Sequence, residues 1–355
     1  MRRSEAVLLF LFIATAAIFL ATRPRGTTPP TPLDAAATAA AGPSATAQAL
    51  VTTSTKIAGT PVPPPPTPTP APPYLSQTWL QSHPPADVPA ISAQGVIVLD
   101  RDSQQIMYAK DIDTRRPPAS IMKLVTAMVS LDLAKPSQSL VVSASAANME
   151  PNRMGLTAGE TITVQDLLYG LLLDSGNDAA EELAEGLGGA GAGPSANGRD
   201  AFLQKMNEKA AGLGLKNTHF VDPAGLDDDN YTTPYDMAVL ANQALAGYPT
   251  IRTVVSTKEI AIPGNANHKW FRPVNLNDLL WDYPGTYGMK VGYTDAAGYT
   301  IVLAGQKNNR NVMIVLLGSK AHFTEGRKLF DWAYAHLPVP DNTPVSHFAT
   351  NLEHA

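Results

Sequence analysis

The stretch Pro117-Pro-Ala-Ser-Ile-Met-Lys-Leu-Val-Thr-Ala-Met-Val-Ser-Leu-Asp-Leu-Ala-Lys-Pro136 decides how the chain reads. Its leading prolines forbid helix before Ala119, its run of Leu, Val, Met and Ala predicts a buried helix over residues 121–134, and Lys135-Pro136 ends that helix. Ser120 therefore stands at the helix start. There its N–H is one of the unpaired donors of the first turn, free to point at a developing oxyanion. Lys123 lies three residues on, on the same face, about 5–6 Å away between Cβ atoms. A serine is a poor nucleophile unless a base takes its proton, so Ser120 and Lys123 are candidate nucleophile and base.

Two further polar motifs follow in order. Ser175-Gly-Asn177 comes after an apolar helical stretch, at a break marked by Asp174-Ser-Gly, where a turn can set a hydroxyl and an amide on a cleft wall. Lys290-Val-Gly292 lies in a strand-like run, and Gly292 there keeps the strand clear so that a substrate backbone can approach. Singly, these motifs read as a surface helix turn, a capping turn and a solvated lysine.

Together, and with their neighbours, they resemble the D-alanyl-D-alanine carboxypeptidases of the low-molecular-mass penicillin-binding group, whose motifs are S-x-x-K, S-x-N and K-T-G. The matching segments are Pro118-Ala-Ser-Ile-Met-Lys123, Leu167-Leu-Tyr-Gly-Leu-Leu-Leu-Asp-Ser-Gly-Asn-Asp-Ala-Ala180, Asp222-Pro-Ala-Gly-Leu226 with Tyr235-Asp-Met-Ala238, and Met289-Lys-Val-Gly-Tyr-Thr294 with Ala297-Gly-Tyr299, within residues 95–337. The resemblance implies a serine hydrolase that removes the terminal D-alanine of peptidoglycan stem peptides through an acyl-enzyme on Ser120, with β-lactams acylating the same serine. It also implies an α+β fold of the β-lactamase/transpeptidase type: a five-stranded antiparallel sheet flanked by helices, with a helical lobe.

By the same resemblance, Ser175 relays the proton to the leaving amine, and Asn177 binds the substrate amide carbonyl or holds Lys123. Lys290 meets the substrate's terminal carboxylate; Lys123 must be partly neutral to act as base, which takes desolvation or a nearby positive charge that Lys290 can supply. The N–H of Tyr293 joins that of Ser120 as the oxyanion hole, Thr294 adds a hydroxyl, and residues 222–226 have a structural role. Neither cofactor nor metal is implied. Val291 departs from the pattern, standing where the third motif usually carries a hydroxyl residue, and the expected consequence is a weaker hold on the carboxylate. Three alternatives remain: a D,D-endopeptidase using the same residues, a class A β-lactamase, for which no Glu-x-x-Leu-Asn segment is found, and a non-catalytic wall-binding homologue.

Outward from the motifs, residues 96–100 and 105–109 read as a β-hairpin and residues 287–294, 298–306 and 311–318 as an antiparallel meander with an edge strand carrying Lys290. Residues 323–336 read as a covering amphipathic helix. Between them, helices are expected from a Thr163 cap to Leu173, over 178–187 and 200–211, and from Thr233-Pro234 to Ala246. Residues 186–198, rich in Gly and Ala, read as a flexible connection.

The expected organisation is a signal or membrane-anchor segment (1–25), a disordered Pro/Thr/Ala-rich spacer (26–88), the catalytic domain (89–340) and a short tail (341–355). Met1-Arg-Arg-Ser-Glu5 precedes an uncharged apolar run of residues 6–21, between a signal-peptide core and the ~20 residues of a span. Export is expected, with retention in the cytoplasmic membrane and the catalytic domain outside. No cysteine is present, which excludes disulfides and thiolate chemistry. A net charge of −5 without a Lys/Arg run above two residues argues against a nucleic-acid partner. The seven histidines are scattered, without metal-ligand spacing.

Overall fold

The computed structural model describes residues 75–189 and 196–337. Seven strands are described: β1 (Gly95–Asp100), β2 (Gln105–Lys110), β3 (Ser139–Val141), β4 (Thr161–Thr163), β5 (Thr286–Thr294), β6 (Gly298–Lys307) and β7 (Arg310–Ser319). The helices are α1 (Thr78–Ser82), α2 (Lys123–Leu133), α3 (Ala144–Ala147), α4 (Val164–Leu172), α5 (Asn177–Gly188), α6 (Ala196–Gly212), α7 (Pro234–Gly247), α8 (Pro249–Val255), α9 (Asp278–Asp282) and α10 (His322–His336), with a 3₁₀ turn at Ala119–Met122 leading into α2.

The main sheet is antiparallel throughout, in the order β2-β1-β7-β6-β5. The expected hairpin and meander are both present and join through β1 on β7, which leaves β5 with Lys290 at the edge. Both faces are covered, which explains why β1 reads as an unbroken apolar run rather than an alternation. Ile97, Leu99, Val302 and Val315 face the core formed with α2, α4, α5 and α7. Val96, Val98, Ile301 and Ile314 meet Leu329, Phe330 and Trp332 of α10.

The helix starts follow their caps. The Thr163 hydroxyl accepts from Asp166 N–H at the head of α4, and Thr233 accepts from Asp236 N–H ahead of Pro234 at the head of α7.

Two boundaries move. The expected spacer ends earlier than residue 88, because residues 75–88 are folded: Leu75 is buried, Ile106 N–H donates to Ser76 O at 2.8 Å, and Trp332 Nε1–H donates to Ala86 O at 2.9 Å. The flexible connection at 186–198 is also shortened, since α5 continues to Gly188 and α6 begins at Ala196. The small β3–β4 pair and α8 were not anticipated, being too short for a periodic signal. Residues 1–25, the spacer before residue 75 and the tail 341–355 lie outside the described residues. Among the described residues, no helix is long and apolar enough to cross a membrane.

Helix α5 carries four buried carboxylates on the side packed into the helical lobe. Asp178 accepts the N–H groups of Met154, Gly155 and Leu156, Glu181 pairs with Arg199 at 2.7 Å, and Glu185 accepts from the Ser145 hydroxyl at 2.6 Å. Glu182 accepts only Ser143 N–H at 2.8 Å, and its Oε1 has no partner among the described residues. Burial pushes its carboxyl up to about 8, with Glu185 adding to the rise.

A carboxyl whose folded pKa exceeds its unfolded value favours the folded state below the unfolded value, and this contribution is lost as pH rises through the folded one. Glu182 therefore weakens the fold progressively between about pH 4.5 and 8. Glu182→Gln keeps the acceptor for Ser143 N–H and removes the charge. Its melting temperature should exceed that of the wild type by roughly 3 °C or more at pH 9 and match it near pH 5. A pH-independent difference in calorimetry would refute the assignment.

Candidate active site

Burial of the whole first half of α2 carries Lys123 into the interior with no exposed surface. Its amine has three acceptors: Ser120 Oγ at 2.9 Å, Asn177 Oδ1 at 2.8 Å and Ala224 O at 2.6 Å. Two of these can only accept. The side chain of Asn177 is oriented by its Nδ2, which donates to Glu150 O at 3.0 Å, and its backbone N–H is held by Asn152 O at 2.8 Å. A neutral amine therefore spends its two N–H groups on Asn177 and Ala224, which leaves its lone pair facing the Ser120 hydroxyl. Desolvation lowers the Lys123 pKa to about 7, against the opposing carboxylates of Asp222 and Asp178.

Of the two sequence expectations for Asn177, contact with Lys123 is made in the structure. Of the two sources expected for the Lys123 shift, desolvation or a nearby positive charge, burial is the principal one. Lys290, also buried, is itself pushed well down by burial and then by the charge of Lys123. Its Nζ donates to Val291 O at 2.9 Å.

The loop at 222–226 contributes an atom to the site as well as structure. The Asp222 carboxylate gathers the N–H groups of Ala224, Gly225 and Asp227 at 2.6, 2.6 and 2.8 Å, and so turns Ala224 O toward Lys123. Thr126 Oγ1 on α2 donates to Pro223 O at 2.7 Å and ties this loop to the nucleophile helix. The sequence quotes the loop, but a backbone carbonyl leaves no side-chain signature, so Ala224 was not singled out.

Ser120 occupies the 3₁₀ turn immediately before α2, following Ala119 at φ +49°. A left-handed alanine costs roughly 1–2 kcal/mol, and here it sits directly before the nucleophile. Ser175 is buried at φ +59° in the turn from α4 to α5, beside Asn177. Its neighbour Asp174, missed by the sequence reading, accepts Val274 N–H at 2.8 Å. Burial raises the Asp174 carboxyl to about 6, with Val274 N–H and the Lys290 charge opposing that rise.

The edge strand meets the nucleophile turn at Gly292. A Cβ at this position would lie 2.6 Å from Thr300 Oγ1 and 2.7 Å from Ser120 N, so no side chain fits. Thr300, the register partner of Gly292, donates to Pro118 O at 2.9 Å and secures the same junction. Clearance at Gly292 therefore serves contact with Ser120. Val291 lies on the opposite face of the strand, at the margin of the α10-side cluster with Ile301 as its partner. Its side-chain direction is not that of Lys290, so a single grip formed by both side chains lacks support. Tyr293 follows on the same edge strand with its ring exposed, and the Thr294 hydroxyl accepts Ala297 N–H in the β5–β6 turn.

Residues 81–321 match the sequence profile of the D-alanyl-D-alanine carboxypeptidase family, peptidase S11. The chain is 35% identical over 260 residues to D-alanyl-D-alanine carboxypeptidase DacB2 of Mycobacterium tuberculosis, covering 71% of this chain and 85% of that one. It is 33% identical to DacF of Bacillus subtilis over 69% of this chain, and spans 63% of that longer relative. The fold aligns with the crystal structure of a D-alanyl-D-alanine carboxypeptidase of M. tuberculosis at a TM-score of 0.65 and 33% identity, over 72% of this chain and 95% of the other. It aligns equally, at 0.65 and 31% identity, with the Streptomyces K15 DD-transpeptidase over 70% of this chain and 100% of that one. With the serine–lysine pair, the Ser-Gly-Asn turn and the lysine-bearing edge strand brought together, the chain belongs to the D-alanyl-D-alanine carboxypeptidase family of serine hydrolases.

Proposed function

We propose that the protein trims the terminal D-alanine from peptidoglycan stem peptides, with Ser120 as the acylated nucleophile and Lys123 as its base. The observation that carries this reading is the amine of Lys123, whose lone pair has only the Ser120 hydroxyl to face once Asn177 and Ala224 are satisfied. Ser120 Oγ attacks the carbonyl between the last two D-alanines as its proton passes to Lys123 Nζ. Ser175 relays that proton, taking it from Lys123 Nζ as it gives its own to the departing amine, which returns Lys123 to its neutral form. The backbone N–H groups of Ser120 and Tyr293 stabilise the oxyanion, and water releases the trimmed peptide with Lys123 again as base.

Lys290 meets the terminal carboxylate of the substrate. Two buried ammonium groups repel, so an anion that fixes the proton on Lys290 drives Lys123 toward the neutral form it needs. Asp174, when ionised, works in the same direction by favouring charge on Lys290. β-Lactams carry a carboxylate and a strained amide and would acylate Ser120 by the same route. The N-terminal residues 1–25 are proposed to hold the protein in the cytoplasmic membrane with the catalytic domain outside. The support is the apolar run at 6–21 followed by the Pro-rich spacer.

Four outcomes check this. Incubation with benzylpenicillin should give one covalent adduct per chain by mass spectrometry, and none in Ser120→Ala. Lys123→Ala should acylate about 10²–10⁴-fold more slowly. An undiminished adduct in Ser120→Ala would place the nucleophile elsewhere. The acylation rate should climb with pH around a midpoint near 7, because the reactive form is the unprotonated Lys123; a flat profile from pH 5 to 9 would exclude this lysine as base. Product analysis on linear and crosslinked muropeptides should show free D-alanine from the linear one, whereas exclusive cleavage of crosslinks would favour an endopeptidase. Cell fractionation should recover the full-length chain with the membrane, and a soluble chain whose N-terminus begins beyond residue 21 would remove the anchor.

A further inference from the structure

Four rings run from the active-site strand onto α10. Tyr293, next after Gly292 on β5, lies 4.8 Å between centroids from Tyr299, its register partner on β6. Tyr299 stacks on His322 at 4.6 Å and 15°, and His322 meets Phe323 at 3.9 Å. The two tyrosines are 54% and 41% exposed, while His322 is buried beneath them. Burial lowers the His322 pKa to about 4 despite the nearby Glu325, so the ladder carries no imidazolium at neutral pH. At its outer end the Tyr293 hydroxyl donates to Asp295 Oδ1 at 2.9 Å, which fixes the ring and places a carboxylate at its rim.

Exposed tyrosines offer rigid apolar faces with polar tips at little cost in conformational entropy, which suits them to recognition. Here the two rings are in tilted contact at 45°, both partly exposed and uncharged, with an anionic acceptor at the edge. A nucleotide or an anionic lipid head group would bring a phosphate that Asp295 repels. A pyranose ring matches both features, since its C–H face covers an aromatic ring while its hydroxyls reach the carboxylate. The location agrees. Four extended residues of a stem peptide reach about 14 Å, so a sugar attached to the stem's other end is tethered within reach of a ladder that starts one residue from Gly292.

We propose that Tyr293 and Tyr299 form a platform for a hexosamine ring of the glycan strand that bears the stem peptide. The protein would then read the polymer as well as the peptide end. The proposal rests on the carboxypeptidase reading above and adds a subsite to it.

The test compares kcat/KM for a D-Ala-D-Ala pentapeptide with that for the same pentapeptide carried on an N-acetylmuramyl-containing disaccharide. The full chain and its Tyr299→Ser and Tyr299→Phe variants are assayed, with the stoichiometry of benzylpenicillin acylation as the check on folding. The wild type should prefer the glycosylated substrate, Tyr299→Ser should lose roughly fivefold on that substrate alone, and Tyr299→Phe should retain the preference. Equal kcat/KM on the two substrates in the wild type overturns the platform while leaving the carboxypeptidase reading intact, and decides the matter even if Tyr299→Ser does not fold. An equal loss on both substrates in Tyr299→Ser overturns it too, by assigning the ring to the peptide. Turnover of neither substrate by the wild type removes the carboxypeptidase reading, and the platform with it.

Discussion

Burial of one amine organises the catalytic half of the molecule. Lys123 has no exposed surface, and an ammonium left unpaired in such a place costs several kcal/mol. Satisfying it takes two loops that are each assembled around a carboxylate. Asp222 gathers backbone N–H groups so that Ala224 O faces the amine, and Asp178 gathers those of residues 154–156 beside Glu150 and Asn152, which hold Asn177 in place. The acceptors that make the buried amine tolerable also leave its lone pair with one direction. Stability of the lobe and activation of the serine thus rest on the same three contacts.

The second constraint is the junction between the sheet and that lobe. Gly292 packs against Ser120 N so closely that a methyl group has no room, and Thr300 to Pro118 O fastens the neighbouring strand to the same turn. The nucleophile is therefore positioned from two sides, by α2 through Lys123 and by the edge strand through Gly292. Strand alternation then sends Lys290 and Gly292 to the cleft side and Val291 to the α10 side. The missing hydroxyl at position 291 is thus a substitution at the margin of the outer cluster.

The main architecture was readable in the sequence because its signals are local and strong. The Thr163 and Thr233–Pro234 caps, the apolar strands and the helix over 323–336 each appear where their patterns put them, within a few residues. The serine, lysine and asparagine of the first two motifs were found for the same reason, since fixed spacing on one helix or turn survives without knowledge of the tertiary fold. What was missed depends on long-range packing. Residues 75–88 are polar and proline-rich enough to pass for spacer, yet Leu75 and Trp332 anchor them across the chain. Ala224 acts through a carbonyl, and Asp174 acquires its character only when Val274 and Lys290 are brought beside it.

The two buried lysines give the site its logic of charge. Each is pushed toward neutrality by desolvation, and each is less able to hold a proton while the other holds one. The carboxylates around them are unequal in placement: Asp222 and Asp178 stabilise charge on Lys123, while Asp174 stabilises it on Lys290. Because Asp174 is itself raised to about 6, the balance moves toward Lys290 as the medium passes from acidic to neutral. An anion beside Lys290 moves it further in that direction. On the proposed reading, the charge on Lys290 that would meet a carboxylate and the neutrality of Lys123 that activates a serine are coupled between an edge strand and a buried helix.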